Sequence, residues 1–247
     1  MYSLIGHSGF LGKNLLEQYK IENIYNSKNI HLLSEKTHDI LFICAPSAEK
    51  WRANQNPTVD LHNISSLITQ ISKTKINKVI MFSTVDVYGN DLNQDEDCLI
   101  DIGKVHPYGK NRYVFETYLR AKFDTTVIRL PGLFGNYLKK NVIFDLINSN
   151  QIDKISLLSK FQWMSTTRIK DFVDLSLKEN INLINCVSEP IQTKELVLEF
   201  YPNVVDRCVG KTTIEYNVRT KHTDSGYLLS KQEVLEDLRR FFRDIKR

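Results

Sequence analysis

A tyrosine and an arginine one helical turn apart are the residues of this chain best suited to acid–base chemistry. Tyr108 and Arg112 follow His106-Pro107, which predicts a helix start, so the two side chains should share one helix face. A free tyrosine, with a pKa of about 10, is a poor acid or base at neutral pH. A neighbouring cation favours the phenolate, so we expect Arg112 to bring the pKa of Tyr108 towards a useful range.

Two hydroxyl groups close the apolar segment 78–84, which predicts a buried strand ending in Ser83 and Thr84. Ligands of open parallel sheets bind at the carboxyl ends of the strands. A hydroxyl group at that edge can hydrogen-bond a carbonyl or alcohol of a substrate.

A glycine turn at the start of the chain predicts a dinucleotide site. Gly6, Gly9 and Gly12 follow the apolar strand 2–5 and precede a helical pattern. The first glycine permits a sharp turn, the second a close approach of the pyrophosphate, and the third tight packing of helix on strand. A glycine-rich turn without a ligand is the alternative. The predicted cofactor contacts are Gly6, Ser8, Gly9, Phe10, Leu11, Asn26, Lys28, Cys44, Ala45, Pro46, Ser83, Leu130 and Pro131.

The end of the predicted second strand, 23–25, bears on the choice of cofactor. NAD sites usually place a carboxylate there to bind the ribose 2′-hydroxyl. Here the sequence is Tyr25-Asn26-Ser27-Lys28, and a lysine can pair with a 2′-phosphate. We therefore expect NADP(H) to be favoured over NAD(H), the alternative being that Lys28 is an ordinary loop lysine. A nicotinamide between the Ser83/Thr84 hydroxyl pair and Tyr108 would assemble hydride transfer, with Tyr108 giving the proton.

Strand and helix patterns alternate from the first residue to Gly135, which predicts an α/β fold with a Rossmann-like, doubly wound parallel sheet. The segment 29–38 is short for a full crossover. We divide the chain into a dinucleotide-binding core, 1–135, and a small C-terminal substrate lobe, 136–247, interleaved with the last sheet strands. Asn63 is predicted to be a buried structural amide, and the acids of loop 91–101 are predicted to be solvated.

The composition is that of an ordinary soluble globular protein, with 42% hydrophobic and 25% charged residues. The net charge of +4 suits a small anionic ligand but argues against nucleic acid. Four cysteines without a C-x-x-C pair indicate reduced thiols and a cytoplasmic location, and no metal cluster is visible. Neither a signal peptide nor an apolar run of roughly 18 residues is found, so no membrane association is expected.

Four motifs together resemble the extended short-chain dehydrogenase/reductase family of nucleotide-sugar epimerases, dehydratases and reductases. The segments 5–12, 82–89, 107–109 and 129–135 are similar to its cofactor turn, hydroxyl-bearing strand end, tyrosine helix and later strand-turn motif. The resemblance covers residues 1–135 well and the remainder loosely. It implies catalytic roles for Thr84, Tyr108 and Arg112, although Arg112 stands where the family has lysine, which is not a conservative replacement.

The resemblance also implies a nucleotide-sugar substrate and a possible homodimer. The diphosphate of that substrate would lie near Lys139, Lys140 and Asn141, with Arg168 as a further candidate contact. The alternative is that these are ordinary surface residues. Large aromatic side chains can flank a sugar or base, but more often they pack. The predicted substrate contacts are Trp51, Asp86, Lys139, Lys140, Asn141 and Trp163.

These features favour a 4-keto-sugar reductase. A small lobe need not let a sugar rotate, as an epimerase must, and Val85 rather than an acid adjoins Thr84. Asp86 leaves a 4,6-dehydratase open. A non-catalytic dinucleotide sensor of the same fold is the remaining alternative, because Arg112 replaces the lysine.

Overall fold

The computed structural model describes residues 1–245 and has a six-stranded, fully parallel sheet at its centre. The strand order is β2-β1-β3-β4-β5-β9. Because the chain moves outward from β1 in both directions, a crevice opens between β1 and β3, the usual place for a ligand. The strands are β1 (Tyr2–Ile5), β2 (Asn23–Tyr25), β3 (Thr37–Ile43), β4 (Lys75–Thr84), β5 (Thr125–Leu130) and β9 (Leu183–Asn185).

Helices cover both faces of the sheet, as the sequence predicts. Alternate strand residues therefore enter two separate cores: Leu4 and Phe42 face one, while Ile5 and Ile43 face the other. The helices are α1 (Phe10–Gln18), α2 (Lys50–Gln55), α3 (Pro57–Ile71), α4 (Pro107–Lys122), α5 (Val142–Ile147), α6 (Ile169–Lys178), α7 (Thr193–Phe200) and α8 (Lys231–Ile245).

The crossover after β2 is short, as predicted. A single 3₁₀ segment, Ile30–Glu35, stands where a longer helix and a further strand would be needed to widen the sheet. Leu33 of this segment is fully buried and anchors it to the core that contains α3 and α4. β2 is consequently the edge strand, and its carboxyl end is open to a ligand.

Two short strand pairs complete the second half of the chain. β6 (Gly132–Phe134) runs parallel to β8 (Trp163–Ser165), and β7 (Lys160–Phe161) runs antiparallel to β10 (Ile191–Gln192). A division of the chain at residue 135 stays a prediction.

One prediction about polar residues is wrong, and a second fails at one residue: Asp91, Asp97 and Asp101 of loop 91–101 are exposed as predicted, but the Glu96 side chain is not. Asn63 lies on the exposed side of α3, whose core-facing residues are Ile64 and Ile71. In the acidic loop, Glu96 is buried: it accepts hydrogen bonds from the Asn185 and Lys221 backbone N–H groups and from the Thr220 hydroxyl. A carboxylate with several such donors is stabilised without water.

Candidate functional site

The glycine turn between β1 and α1 forms a closely packed cradle. Gly6 has φ +89°, and a Cβ there would lie 2.7 Å from the Cys44 carbonyl oxygen. A Cβ on Gly12 would lie 2.2 Å from the Gly6 carbonyl oxygen, so only glycine fits either position. Ser8 and Gly9 are exposed in the turn, while Phe10 and Leu11 open α1. The bare backbone and the free helix start fit a pyrophosphate.

The end of β2 brings His7 and Asn26 together beside this turn. His7 Nδ1 is 3.0 Å from the Tyr25 carbonyl oxygen, and His7 Nε2 is 3.5 Å from Asn26 Nδ2. Asn26 Oδ1 also accepts a 2.8 Å hydrogen bond from the Lys28 backbone, and the Lys28 side chain is exposed. The end of β2 has no carboxylate of the kind that binds the ribose 2′-hydroxyl in NAD sites. The contact of His7 with this strand end could not be predicted from the glycine motif.

Residues after β3 and β5 form the opposite wall of the crevice. Cys44 and Ala45 are partly exposed beside the glycine turn, and Pro46 and Ser47 continue the wall. Burial raises the pKa of the Cys44 thiol well above its usual value, so the thiol is protonated at neutral pH. Leu130 ends β5 and is buried, and Pro131 follows it, partly exposed.

The two hydroxyl groups at the end of β4 have different surroundings. Ser83 is buried and donates a hydrogen bond to the Glu116 carboxylate on α4, so its hydroxyl is engaged in the protein interior. The Thr84 Oγ1 accepts a 3.1 Å hydrogen bond from the Asp86 backbone N–H, and it is less buried than Ser83. Thr84 is therefore the hydroxyl that a ligand can contact.

Gly109 allows the tyrosine helix to approach this strand end. A Cβ at Gly109 would lie 2.1 Å from the Asp86 carbonyl oxygen, so any side chain would push α4 away. The start of α4 is held from two sides, because Asn54 Oδ1 accepts from the Tyr108 backbone and His106 Nδ1 accepts from the Gly109 backbone. These contacts bring Tyr108 to the same sheet edge as Thr84.

The expected lowering of the Tyr108 pKa is wrong. Burial raises the pKa of Tyr108 to about 12, and the opposing effect of the Arg112 charge does not cancel it. The spacing of the two residues predicts their contact, with the Arg112 guanidinium 4.3 Å from the ring centroid, but not the loss of water around the phenol. Tyr108 is consequently a protonated phenol at neutral pH.

Arg112 is buried and has two partners outside its own helix. Its Nη1 lies 2.5 Å from Asp60 Oδ2 on α3, and its Nη2 donates a 2.6 Å hydrogen bond to the Ser47 carbonyl oxygen. The arginine thus connects α4 to α3 and to the wall of the crevice.

A second charged cluster surrounds Asp86. Lys50 Nζ and the Tyr216 hydroxyl each lie 2.7 Å from Asp86 Oδ1, and His106 Nε2 lies 3.6 Å from the same oxygen. Burial alone would raise the pKa of Asp86, but these three neighbours outweigh it and lower the pKa below its usual value. Lys50 and Tyr216 also border a cavity of about 330 Å³. Asp86 is thus a firmly ionised carboxylate.

The predicted substrate contacts are only partly brought together. Trp163 is buried against Gly132 and Phe161, so its predicted contact with substrate is wrong. Arg168 pairs with Asp237 on α8 and is also not available.

The remaining predicted contacts lie at the surface or near the crevice. Trp51 is 61% exposed on α2, and Lys139 is exposed. Lys140 Nζ donates to the Ala48 carbonyl oxygen, which places it beside the wall that contains Ser47. Asn141 caps α5 by accepting from Phe144 and donates 2.8 Å to the Leu133 carbonyl, so its amide already has partners at both ends.

Sequence reasoning missed Lys50, Asp60 and Tyr216. Lys50 and Tyr216 are 166 residues apart, and neither adjoins a recognisable motif. Asp60 sits in the first turn of α3, a favourable place for any acid, so its position carried no functional signal. In residues 1–245, no cluster of three or more His, Cys, Asp or Glu side chains could hold a metal ion, and no helix is long and apolar enough to span a membrane.

The chain belongs to the NAD dependent epimerase/dehydratase family, whose model matches residues 23–178. This match includes Thr84, Tyr108 and Arg112 but begins after the glycine turn. A search of curated protein sequences finds no significant match.

Solved structures of the same fold support this assignment. A dTDP-4-dehydrorhamnose reductase from Clostridium acetobutylicum has a TM-score of 0.74 and 14% identity over 100% of both chains. A dTDP-glucose 4,6-dehydratase double mutant from Streptomyces venezuelae, with NAD bound, has a TM-score of 0.75 and 14% identity over 98% of this chain and 97% of that one. The UDP-glucose 4-epimerase of Thermotoga maritima has a TM-score of 0.65 and 15% identity, with coverage of 93% and 89%. At such identities the likeness shows the fold, and the three differ in reaction.

Proposed function

We propose that this protein is an NAD(P)-dependent reductase that converts the 4-keto group of a nucleotide-activated sugar to an alcohol. The observation that carries the proposal is the placement of Thr84 and Tyr108 at one sheet edge, across the crevice from the glycine turn, through the close contact of Gly109 with Asp86. The residues of the turn fit a dinucleotide, which supplies hydride chemistry when bound.

Each site residue then has a defined task. The Thr84 hydroxyl donates a weak 3.3 Å hydrogen bond to Asp86 Oδ2, and it turns this proton to the substrate carbonyl when substrate binds. With a dinucleotide bound to supply hydride to the carbonyl carbon, Tyr108 would give its proton to the carbonyl oxygen, which would leave an alcohol and a tyrosinate. Since the Tyr108 pKa is raised to about 12, the donor is fully protonated at neutral pH. Arg112, next to the ring, stabilises the tyrosinate until a proton from solvent restores it.

The state of Asp86 favours a reductase over a dehydratase. Water elimination from a hexose needs an acid or base beyond the tyrosine, and Asp86 is the nearest carboxylate to Thr84. With its pKa lowered by His106, Lys50 and Tyr216, it neither donates a proton nor accepts one readily. Asp86 instead holds Lys50 and Tyr216 in place, and these side chains border a cavity of about 330 Å³.

The preference for NADP(H) over NAD(H) rests on Lys28. The end of β2 lacks a carboxylate, and the exposed Lys28 ammonium is close in sequence to Asn26, which lies by His7. We further propose that Lys139, Lys140 and Trp51 contact the nucleotide part of the substrate. A division of the chain at residue 135, a cytoplasmic location and a homodimer belong to the same proposal.

Cofactor titration followed by turnover tests this function. Purified protein is titrated with NADPH and with NADH while tryptophan fluorescence is recorded, and the preferred cofactor is then used with a panel of nucleoside-diphosphate 4-keto-sugars. We expect oxidation of the cofactor with at least one keto-sugar, and its loss in the Thr84→Val variant. Absence of cofactor binding would contradict the proposal.

A non-catalytic dinucleotide sensor is the second candidate. It is favoured by the hydrogen bonds that Arg112 donates to Asp60 and Ser47, because these two N–H groups are then not available to a ribose hydroxyl. Tight cofactor binding without turnover on the whole panel would support the sensor.

A further inference from the structure

We infer that Asp60 is a positioning residue, which fixes the guanidinium of Arg112 against Tyr108 and thereby allows an arginine to serve at this place. The inference rests on the proposed function for its catalytic meaning, but the geometry and the cofactor-binding test do not depend on the identity of the substrate.

Three contacts define the position of the guanidinium. Asp60 Oδ2 lies 2.5 Å from Arg112 Nη1, the Ser47 carbonyl oxygen lies 2.6 Å from Nη2, and the ring of Tyr108 lies 4.3 Å from Cζ. Two hydrogen bonds and the contact with the Tyr108 ring hold this flat, five-donor group in place. The contacts use Nη1 and Nη2 once each, which leaves other N–H donors beside the crevice wall.

Asp60 is itself held in place for this task. Asn111 Nδ2 donates a 2.9 Å hydrogen bond to the same carboxylate oxygen and a 3.1 Å bond to the Pro57 carbonyl. Asp60 also lies in the first turn of α3, where the helix dipole favours a negative charge. The carboxylate is therefore fixed in position before any ligand binds.

The pair is needed because Arg112 is almost completely buried. Its side chain is 4% exposed and that of Asp60 is 11% exposed, so water cannot compensate either charge. A buried guanidinium without a counterion is strongly unfavourable. If Asp60 were neutral, Arg112 would turn towards solvent and leave both Tyr108 and Ser47.

A lysine could not use this arrangement. An ammonium is a compact charge that cannot stack its plane on the Tyr108 ring while it reaches two partners on opposite sides. Beside the Asp60 carboxylate, the ammonium would move to the acid and away from the crevice. Removal of the acid's charge should then release the ammonium. The double variant should therefore bind cofactor more tightly than the variant with lysine at position 112 alone.

The test compares four chains: wild type, Arg112→Lys, Asp60→Asn and the double variant. Dissociation constants for NADH and NADPH are measured by tryptophan fluorescence, and kcat and KM are measured on the keto-sugar found active. We expect each single variant to lose at least about ten-fold in cofactor affinity, the typical weight of a charged hydrogen bond. We expect the double variant to recover at least about three-fold over Arg112→Lys.

Additive losses in the double variant would overturn the inference, because a pair that serves stability alone has no reason to favour lysine without its acid. Asp124→Asn, which breaks the exposed Lys78–Asp124 pair, is the matched control and should leave affinity unchanged. If Asp60→Asn does not fold, the Arg112→Lys and double variants still decide.

A further variant, Asp60→Glu, keeps the charge but moves the carboxylate by one methylene group. We expect kcat to fall while thermal stability stays near that of wild type, and wild-type kcat would contradict the positioning role. The four chains could show the expected cofactor affinities while none of them turns over any keto-sugar. That outcome would support this inference and contradict the proposed function.

Discussion

Two buried ion pairs meet on α4, one helical turn apart, and they differ in what surrounds them. Glu116 and Arg129 are at most 2% exposed and lie 2.6 Å apart, whereas Arg112 and Asp60 are 4% and 11% exposed and lie 2.5 Å apart. The Glu116 carboxylate also accepts from Ser83, and Arg129 donates 2.7 Å to the Tyr88 hydroxyl. The inner pair joins α4 to β5, and the outer pair joins α4 to α3 and the crevice wall.

The comparison indicates that the distance of an ion pair from the sheet edge decides whether the pair supports the fold or a bound ligand. The inner pair is enclosed by protein groups, through which Tyr88 continues to Asn185 on β9. A fully satisfied network of this kind holds helix and strands in one arrangement. The outer pair lies beside the crevice, and its arginine faces the tyrosine of the candidate active site. We therefore expect substitution of the inner pair to change stability first, and substitution of the outer pair to change ligand binding first.

The largest effect is expected for Glu116→Gln. Loss of the charge leaves Arg129 buried without its counterion, which typically costs about 3–5 kcal/mol of unfolding free energy. Urea denaturation of the variant and of wild type measures this difference. Asp124→Asn, at the exposed Lys78–Asp124 pair, is the control and should change stability by less than about 1 kcal/mol. A loss at Glu116 as small as the control's would contradict the structural role of the inner pair.

Tyr108→Phe tests the other side of the comparison. Removal of the proton donor should reduce kcat by roughly 100-fold or more, as is usual for general acid catalysis. Cofactor affinity should change little, because the ring remains to stack on Arg112. Steady-state turnover with the preferred cofactor measures kcat, and fluorescence titration measures cofactor affinity. Tyr118→Phe on the same helix provides the control. Unchanged turnover in the Tyr108 variant would remove the catalytic role.

An intermediate effect is expected for Asp86 as a function of pH. Its pKa is lowered in the folded state, so its stabilising contribution is complete above the unfolded value of about 4 and is lost as the pH falls below it. The stability difference between wild type and Asp86→Asn should therefore shrink between about pH 4 and pH 2. Thermal unfolding across this range measures it. A difference that does not vary with pH would show that Asp86 is not held ionised by Lys50 and Tyr216.

Features formed by neighbours in sequence could be predicted from the sequence. The positive φ of Gly6 and the close contact of Gly12 with the Gly6 carbonyl are local requirements, and the contact of Tyr108 with Arg112 follows from helix geometry. The trimmed crossover after β2 follows from the shortness of its segment. These predictions need no knowledge of the rest of the chain.

Features that depend on distant partners or on burial could not be predicted. Asp60 becomes a site residue only when α3 packs against α4, and Tyr216 only when its segment reaches Lys50 and Asp86. Trp163 looked like a sugar-binding aromatic, yet it fills the space above Gly132. The raised pKa of Tyr108 and the buried Glu96 have the same origin, since desolvation is a property of the folded chain.

Lys28→Ala should have the smallest effect on ligand binding. It tests the carboxyl end of β2, where the cofactor ribose is proposed to bind and which neither ion pair contacts. The Lys28 side chain is exposed, so its attraction to a 2′-phosphate is screened by water and salt. We expect NADPH affinity to fall by about three- to ten-fold and NADH affinity to stay the same, which fluorescence titration of both cofactors measures. The loss should also diminish as salt is added. Lys20→Ala is the matched control because it removes the same exposed charge from the amino end of β2, whereas ligands of parallel sheets bind at the carboxyl ends of the strands. Equal losses for NADPH and NADH would mean that Lys28 does not read the 2′ position, and the selectivity would then have to come from His7 and Asn26.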